Sequence, residues 1–414
     1  MKILIISDLE STGGAAIACQ RLTQGLMGLG ADCVRGVGSM DGGAPGQEKF
    51  LLSPGKRLEG IVSLASSFHC DRVAQTLANF GSRRQLRWWI KHLQPDFINI
   101  HNLHKAKWEI ALVEECALHA PVAWTLHDMW SMTGRCCYRY DCEKFTTGCD
   151  ASCPTPNEYP ALEPGRIAAA WAAKQRVLAR HPNISAVCPS QWMASEARRG
   201  IWKGNRVEAI ANGLDLTVYK PCDAQAARAA LGLQPDLPTI LIVADYLKER
   251  RKGGGLLEGV LAAAKSRPLQ ILTLGHSPPE IHVSGVQHTH MGYISSDRMK
   301  AILYSASDLL LHMAPVDNLP NTVAESLACG TPVVAHATGG VPEMVKPGET
   351  GWLAQQFDTD HFAAALDTAL SALKSGNTLR QACRQFAETH FDITRQAAQY
   401  LALFQTLSKS RENL

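Results

Sequence analysis

The chain has 414 residues, of which 46% are hydrophobic, 19% charged and 7% aromatic, and its net charge is +3. This composition excludes a disordered or fibrous protein, and so small a charge gives no support to nucleic-acid binding. The length exceeds what one ordinary core organises, so two domains of roughly 200 residues each are expected.

"KILIIS" (2–7) reads as a first strand, with Asp8 and Glu10 following too soon for a signal peptide. No apolar run of about 18 residues occurs, so the chain reads as cytoplasmic. "STGGAAIACQRLTQGLMGLG" (11–30) is a glycine turn opening a helix, with Ile17, Leu22, Leu26 and Leu29 near helical spacing. "DFINIH" (96–101) and "VAWTLHD" (122–128) are strands around a helix in 108–120, and 183–200 repeats strand, turn and helix. Residues 206–221 give a strand broken at Asn212-Gly213 and closed by Pro221. A second series of strands follows at 239–245, 269–275, 308–314 and 331–337, and 379–407 is helical by period with a break at Phe391-Asp392.

This alternation predicts an α/β protein with two Rossmann-like, doubly wound parallel-sheet domains facing across a cleft. The first domain is expected over 1–212, with a C-terminal helix of about 392–414 packing back on it, and the second over 213–391.

Gly13-Gly14 after the first strand suits either a plain tight turn or a site where backbone N–H groups face an anion. "KERRKGGG" (248–255) puts Arg250, Arg251 and Lys252 at a strand's carboxyl end, where cations can neutralise a diphosphate; a solvated basic loop is the competing reading. In "VDNLPNTVAESLACGTPVV" (316–334), Pro320 suits a helix's first turn and Val323 with Leu327 mark its packing face. Glu325 falls on the other side with Asn321, Thr322 and Cys329, toward solvent or cleft. "DTD" (358–360) reads as a helix cap.

Thirteen cysteines in a chain without an export signal are expected to be mostly reduced. Five crowd into 136–153, where Cys136 or Cys137 with Cys142, Cys149 and Cys153 could hold a structural zinc, or be packed thiols. The segment 83–93 places Leu86, Trp89, Ile90 and Leu93 opposite cations, a surface helix packed on its sheet or, with a lipid-linked substrate, a membrane-contacting face.

"PVDNLPNTVAESLACGTPVVAHATGGVPEMVKPGETGWL" (315–353) closely resembles the carboxyl-terminal signature of retaining GT-B glycosyltransferases of family GT4, in which two acidic residues are separated by seven. "NGLD" (212–215), "GYI" (292–294) and Lys252-Gly253 match other parts of that pattern in order, and 124–154 is similar to a cysteine-bearing, colanic-acid-type subgroup that builds cell-surface polysaccharides. The resemblance implies a GDP-, UDP- or ADP-linked sugar donor, and a glycan or lipid-linked glycan acceptor met at the inner membrane face. It assigns catalytic roles to His127, Asp317, Lys252 and Arg251 without a catalytic metal. Donor binding falls to Gly13, Gly14, Arg250, Tyr293, Ile294, Asn318, Leu319, Asn321 and Glu325, the last on the ribose. The sequence departs from the pattern at Asp317, where the family most often has Glu, and at Tyr246, where an Arg commonly precedes the Lys. Rivals are a GT-B sugar-nucleotide epimerase, a phosphorylase and a two-lobed sugar-binding protein.

Overall fold

The structure is a computed structural model that describes residues 1–41, 47–68, 70–246, 250–376 and 379–412. Its strands are β1 (Lys2–Ser7), β2 (Asp32–Val37), β3 (Glu48–Leu51), β4 (Phe97–Ile100), β5 (Val122–Thr125), β6 (Ile184–Cys188) and β7 (Val207–Ala209), then β8 (Thr239–Val243), β9 (Leu269–Leu274), β10 (Val286–His290), β11 (Leu309–His312), β12 (Val333–His336) and β13 (Gly351–Ala354). They form a seven-stranded sheet in the order β3-β2-β1-β4-β5-β6-β7 and a six-stranded sheet in the order β10-β9-β8-β11-β12-β13. Every pairing within them is parallel. The contacts divide the chain into one unit of residues 1–210 with 394–414 and a second of 211–393.

Parallel strands need crossovers that cover both faces of the sheet, which explains why the central strands are apolar without alternation. Ile3, Leu4, Ile5 and Ile6 of β1 are all fully buried. On one face, Ile3 and Ile5 pack with Cys19, Leu22 and Leu26 of the helix Gly14–Gly28 and with Ala397, Tyr400, Leu403 and Phe404 of the C-terminal helix Ile393–Glu412. The spacing of those last four residues places them on one helical stripe. Phe404 stacks on Phe97 of β4 at 4.8 Å, and the Tyr400 hydroxyl lies 2.9 Å from Thr125 Oγ1 at the end of β5.

In the second unit, Leu241, Leu310, Val333 and Ala335 face a cluster that includes Val323 and Leu327 of the helix Asn321–Ala328. Their neighbours Ile240, Leu309, Leu311 and Val334 face the helices Gly254–Ala263 and Thr359–Lys374. The period of two along each strand thus divides the core into two layers.

Four strands escape the sequence pattern: β2, β3, β10 and β13. β3, β10 and β13 lie at sheet edges, and in β10, which reads Val-Gln-His-Thr-His, partly exposed polar residues suffice. β2 carries Arg35, buried at 2% exposure, whose guanidinium donates to the Glu10 carbonyl at 2.6 Å, so no apolar run marks it. The helix at 83–93 starts earlier, at Asp71, and the terminal helical stretch breaks into Arg380–His390 and Ile393–Glu412. Asp358 caps the helix Thr359–Lys374, accepting from the His361 N–H at 2.8 Å.

Because Phe404 is fully buried against Phe97, Phe404→Ala should destabilise the first unit by about 3–5 kcal/mol. Denaturant unfolding measures this, and a shift below 1 kcal/mol would show that the terminal helix is not part of that core.

Candidate active site

In the second unit, β11 ends at His312 and the chain turns through Asp317 into the helix Asn321–Ala328. The Asp317 side chain is 14% exposed; its Oδ2 lies 3.8 Å from Lys252 Nζ and 3.7 Å from His312 Nε2. Its Oδ1 accepts from the Asn318 N–H at 2.9 Å. Burial works against ionisation, yet Lys252, His312 and Arg251 together hold the carboxyl below its ordinary range. Burial also pushes His312 down to about 4, with Lys252 acting in the same sense and Asp317 against it. Near neutral pH the group is therefore a carboxylate and an ammonium beside a neutral imidazole.

Two glycines make this close approach possible. Gly253 has φ +72°, and a Cβ there would stand 1.8 Å from the Met313 carbonyl oxygen, so the turn carrying Lys252 can lie against the end of β11 only with glycine at this position. Gly339 has φ +59°, and a Cβ there would stand 2.0 Å from the Asp317 carbonyl oxygen, the atom that accepts from the Gly340 N–H at 3.1 Å. Lys248 and Glu249 of the basic segment lie outside the described residues; Arg250, Arg251 and Lys252 form one 3₁₀ turn ahead of the helix Gly254–Ala263. Arg250 is exposed and Arg251 half-buried.

Glu325 is almost fully enclosed rather than projecting into solvent. It is 3% exposed and accepts from the Tyr304 hydroxyl at 3.0 Å, while burial, followed by the charge of Glu325, raises that phenol's pKa well above its ordinary value. The whole helix from Val323 to Ala328 is buried, so the side opposite its apolar stripe is interior as well. Pro320 is the N-cap, with Asn321 the first helical residue; Asn318 is buried, and Leu319 belongs to the apolar core. Ile294 packs on that core. Tyr293 is 45% exposed and stacks on His276 at 4.5 Å with ring planes 8° apart. His276 stacks in turn on Tyr246 at 5.0 Å, so the tyrosine found in place of an arginine belongs to an aromatic pile.

In the first unit, a hydrogen-bonded chain includes His127. Asn99 Nδ2 donates to the Ala123 carbonyl at 2.8 Å and to Thr125 Oγ1 at 3.0 Å, which leaves its Oδ1 to accept from His101 Nε2 at 2.7 Å. His101 Nδ1 must then be the acceptor, and His127 Nε2 donates to it at 2.7 Å. The network so assigns the His127 tautomer with Nδ1 unprotonated. Burial pushes His127 down to about 4, and His101 well below the ordinary histidine value. His104 behaves oppositely: burial opposes its charge, but Asp128, whose Oδ2 lies 2.8 Å from Nε2, and Asp8 raise it. Asp8 follows β1 and accepts from the Lys105 N–H at 3.0 Å. Gly13 is the N-cap of the helix that starts at Gly14, and a Cβ on Gly13 would lie 3.8 Å from Lys105 Nζ. A hollow in this unit is lined by His101, His104, Trp124, His127, Asp128 and Trp130.

Asp8, His101, His104 and His312 are site residues that the motif reading overlooked. Their signal was position: each lies at or just past the carboxyl end of a parallel strand.

The four cysteines Cys136, Cys142, Cys149 and Cys153 are half-buried, and burial raises the pKa values of Cys136 and Cys149, with neighbouring cysteines of the set adding to the effect. Cys136 acts electrostatically with Cys142, Cys149 and Cys153, but among the described residues no three of these sulfurs all lie within 4.8 Å of one another. Among the described residues, the group whose metal-ligating atoms all lie within 4.8 Å of one another is His104, Asp128 and Cys137.

Two parallel α/β units are the architecture of the GT-B class of glycosyltransferases, and the structural neighbours belong to it. Sucrose-phosphate synthase from Thermosynechococcus elongatus matches this structure with a TM-score of 0.72 at 19% identity, over 99% of both chains. HepE of Anabaena, solved in complex with UDP and glucose, matches with a TM-score of 0.68 at 18% identity, over 98% of this chain and 100% of that one. In sequence, the putative colanic acid biosynthesis glycosyl transferase WcaC of Escherichia coli (strain K12) is 29% identical over 361 residues, 84% of this chain and 85% of that protein. Residues 282–389 match the glycosyl transferases group 1 family, and residues 12–218, half of the chain, match Glycosyltransferase Family 4. The chain belongs to glycosyltransferase family 4 and is a glycosyltransferase.

His312 supplies a pH test. Its folded pKa of about 4 lies below the ordinary 6.5, so the unfolded chain binds more protons as the pH falls between these values. The stability that neutral His312 contributes is complete above pH 6.5 and lost toward pH 4, at about 1.4 kcal/mol per pH unit. From pH 7 to pH 5, the unfolding free energy of His312→Gln should therefore fall about 2 kcal/mol less than that of the parent. Equal losses in urea unfolding would mean that His312 is not held neutral.

Proposed function

We propose that this glycosyltransferase moves a hexose from a nucleotide-sugar donor to a glycan or lipid-linked glycan acceptor during assembly of a surface polysaccharide, with retention of configuration and without a catalytic metal. The observation that carries this reading is the grouping of Lys252, Arg251 and His312 about Asp317 at strand ends of the second unit, in a family-4 chain. Cations held there suit a departing diphosphate, whose negative charge grows as the glycosidic bond breaks. In this reading Lys252 and Arg251, with Arg250 second, take the diphosphate, while Asp317 and the Asn318 turn accept from sugar hydroxyls.

Glu325 would serve the ribose, a role in which Tyr304 holds one carboxylate oxygen and fixes the direction of the other. The exposed Tyr293 face, backed by His276, offers a flat surface for the base, next to Ile294. Asn321 lies at the N-terminus of the Glu325 helix, and Leu319 sets its angle from the core. On the acceptor side, His127 with a defined tautomer would meet the transferred sugar, and Gly13-Gly14 would offer backbone N–H groups. HepE's complex with UDP and glucose and WcaC's connection with colanic acid support the donor and product classes by analogy.

A lipid-linked acceptor would bring the protein to the cytoplasmic face of a membrane. No described helix is long and apolar enough to cross one. Leu86, Ile90 and Leu93 of the expected amphipathic face are buried and Trp89 stacks on Phe50 at 4.2 Å, so that stripe serves packing. The surface suited to an anionic bilayer is instead the other side of the helices Lys56–Ser67 and Asp71–Leu93, where Ile61, Leu64, Phe68, Val73 and Phe80 are each more than half exposed. Seven Lys and Arg against two acidic residues lie between 56 and 93.

The test is turnover of UDP-, GDP- and ADP-sugars in EDTA, with and without a glycan acceptor. Nucleotide release that needs the acceptor is expected. Asp317→Asn should lower turnover roughly 10- to 100-fold, and Glu325→Gln should weaken donor binding roughly tenfold or more while the protein stays folded. Sugar conversion without acceptor would replace the proposal by an epimerase, and thermal shifts with free sugars alone by a binding protein.

A further inference from the structure

The geometry points to a divalent transition-metal site of the zinc class, formed by His104 Nε2, Asp128 Oδ2 and Cys137 Sγ in the first unit. Nε2 lies 2.8 Å from Oδ2 and 3.9 Å from Sγ, and one ligand atom from each of the three residues lies within 4.8 Å of the other two. One ion with bonds of about 2.0–2.3 Å can reach such a triangle of donors with small adjustments. The side chains of His104 and Asp128 are 6% and 12% exposed, and Cys137 is buried.

The three ligands come from separate segments that the fold ties together. His104 follows β4 and Asp128 follows β5; Cys137 is brought beside Asp128 by a backbone hydrogen bond from the Met129 N–H to its carbonyl, 2.8 Å. The remaining donor atoms already have outer partners. His104 Nδ1 lies 2.7 Å from the Tyr159 hydroxyl, and Asp128 Oδ1 accepts from the Trp130 N–H at 2.8 Å. That pattern, with one ring nitrogen and one carboxylate oxygen held from outside and the other of each turned inward, is how protein metal sites orient their ligands.

The donor set decides the class of ion. A thiolate disfavours Mg²⁺ and Ca²⁺, while a carboxylate and an imidazole disfavour Cu⁺, leaving Zn²⁺ or its spectroscopic substitute Co²⁺. His104 and Asp128 also line the hollow beside His127, from which water could supply a fourth ligand. Asp8 and the buried Lys174 also act on His104; burial pushes Lys174 down to about 7, and its Nζ donates to the Trp130 and Thr133 carbonyls at 2.5 and 2.9 Å. On binding, the proton shared by His104 and Asp128 and the Cys137 thiol proton leave to solvent, and no other bond changes. The site would pin the loop 128–137 to the end of β4 and so fix the wall beside His127.

The experiment strips the full chain with a chelator, reloads it with Co²⁺, and reads the thiolate-to-cobalt charge-transfer band together with Zn²⁺ content by atomic emission. The band is expected in the parent and in Cys142→Ser and Cys149→Ser. It should be lost, with at least a tenfold fall in Zn²⁺ affinity, in Cys137→Ala and His104→Gln. Tyr159→Phe, which leaves all three ligands in place, should weaken Zn²⁺ about tenfold. Circular dichroism confirms that each variant is folded, and Asp128→Asn replaces any that is not. Absence of a band in the parent overturns the proposal; so does a band that survives Cys137→Ala or disappears in Cys142→Ser, which would assign the metal to the four-cysteine loop.

Discussion

Parallel pairing is the constraint on which the rest of this structure depends. When every strand of a sheet points the same way, all the strand ends leave at one edge, and the two faces must be given over to apolar packing. Polar chemistry is then confined to that edge. In the first unit it receives Asp8 after β1, His101 and His104 after β4, and His127 and Asp128 after β5. In the second it receives Arg251 and Lys252 after β8, His276 after β9, Tyr293 after β10, and His312 with Asp317 at the end of β11. Residues far apart in sequence meet because their strands are neighbours in the sheet.

Within those edges, burial and charge divide similar side chains into different states. His101, His127 and His312 are driven neutral by desolvation, whereas His104, also enclosed, has its pKa raised against desolvation by Asp128 and Asp8. Asp317 is buried yet stays ionised because Lys252 stands 3.8 Å away. Removing that one cation would take the largest favourable charge from an enclosed carboxylate, a greater penalty than the pair's own net contribution. The same cation is the group best suited to an anionic leaving group, so structural and chemical demands fall on one side chain.

Family membership and a shared fold place the chain among glycosyltransferases, and the geometry adds features that the fold alone does not supply. The relay from Asn99 through His101 fixes which nitrogen of His127 carries the proton. Tyr304 restrains Glu325, and Tyr246, His276 and Tyr293 form a pile at the ends of three adjacent strands. None of these depends on spacing within a single motif. Each arises from side chains on different elements meeting across a few ångströms.

Much of the architecture was legible in the chain itself. Apolar runs such as 2–7 and 239–245, set between glycine turns and helical periods, are enough to specify parallel α/β units, because a strand buried on both faces favours apolar residues at successive positions. The segment from Asp317 to Glu325 and the Lys252-Gly253 pair were legible as a family pattern, since a helix start and a glycine with positive φ leave local traces. Edge strands such as β10 were not, because an edge needs pairing on one side only and tolerates His and Gln. Tertiary structure alone decided that Glu325 is buried against Tyr304 and that Cys137, rather than the four cysteines around it, meets His104 and Asp128. The physical reason is common to both cases: local sequence sets how a segment folds, but the distance between two side chains on different elements depends on how those elements pack.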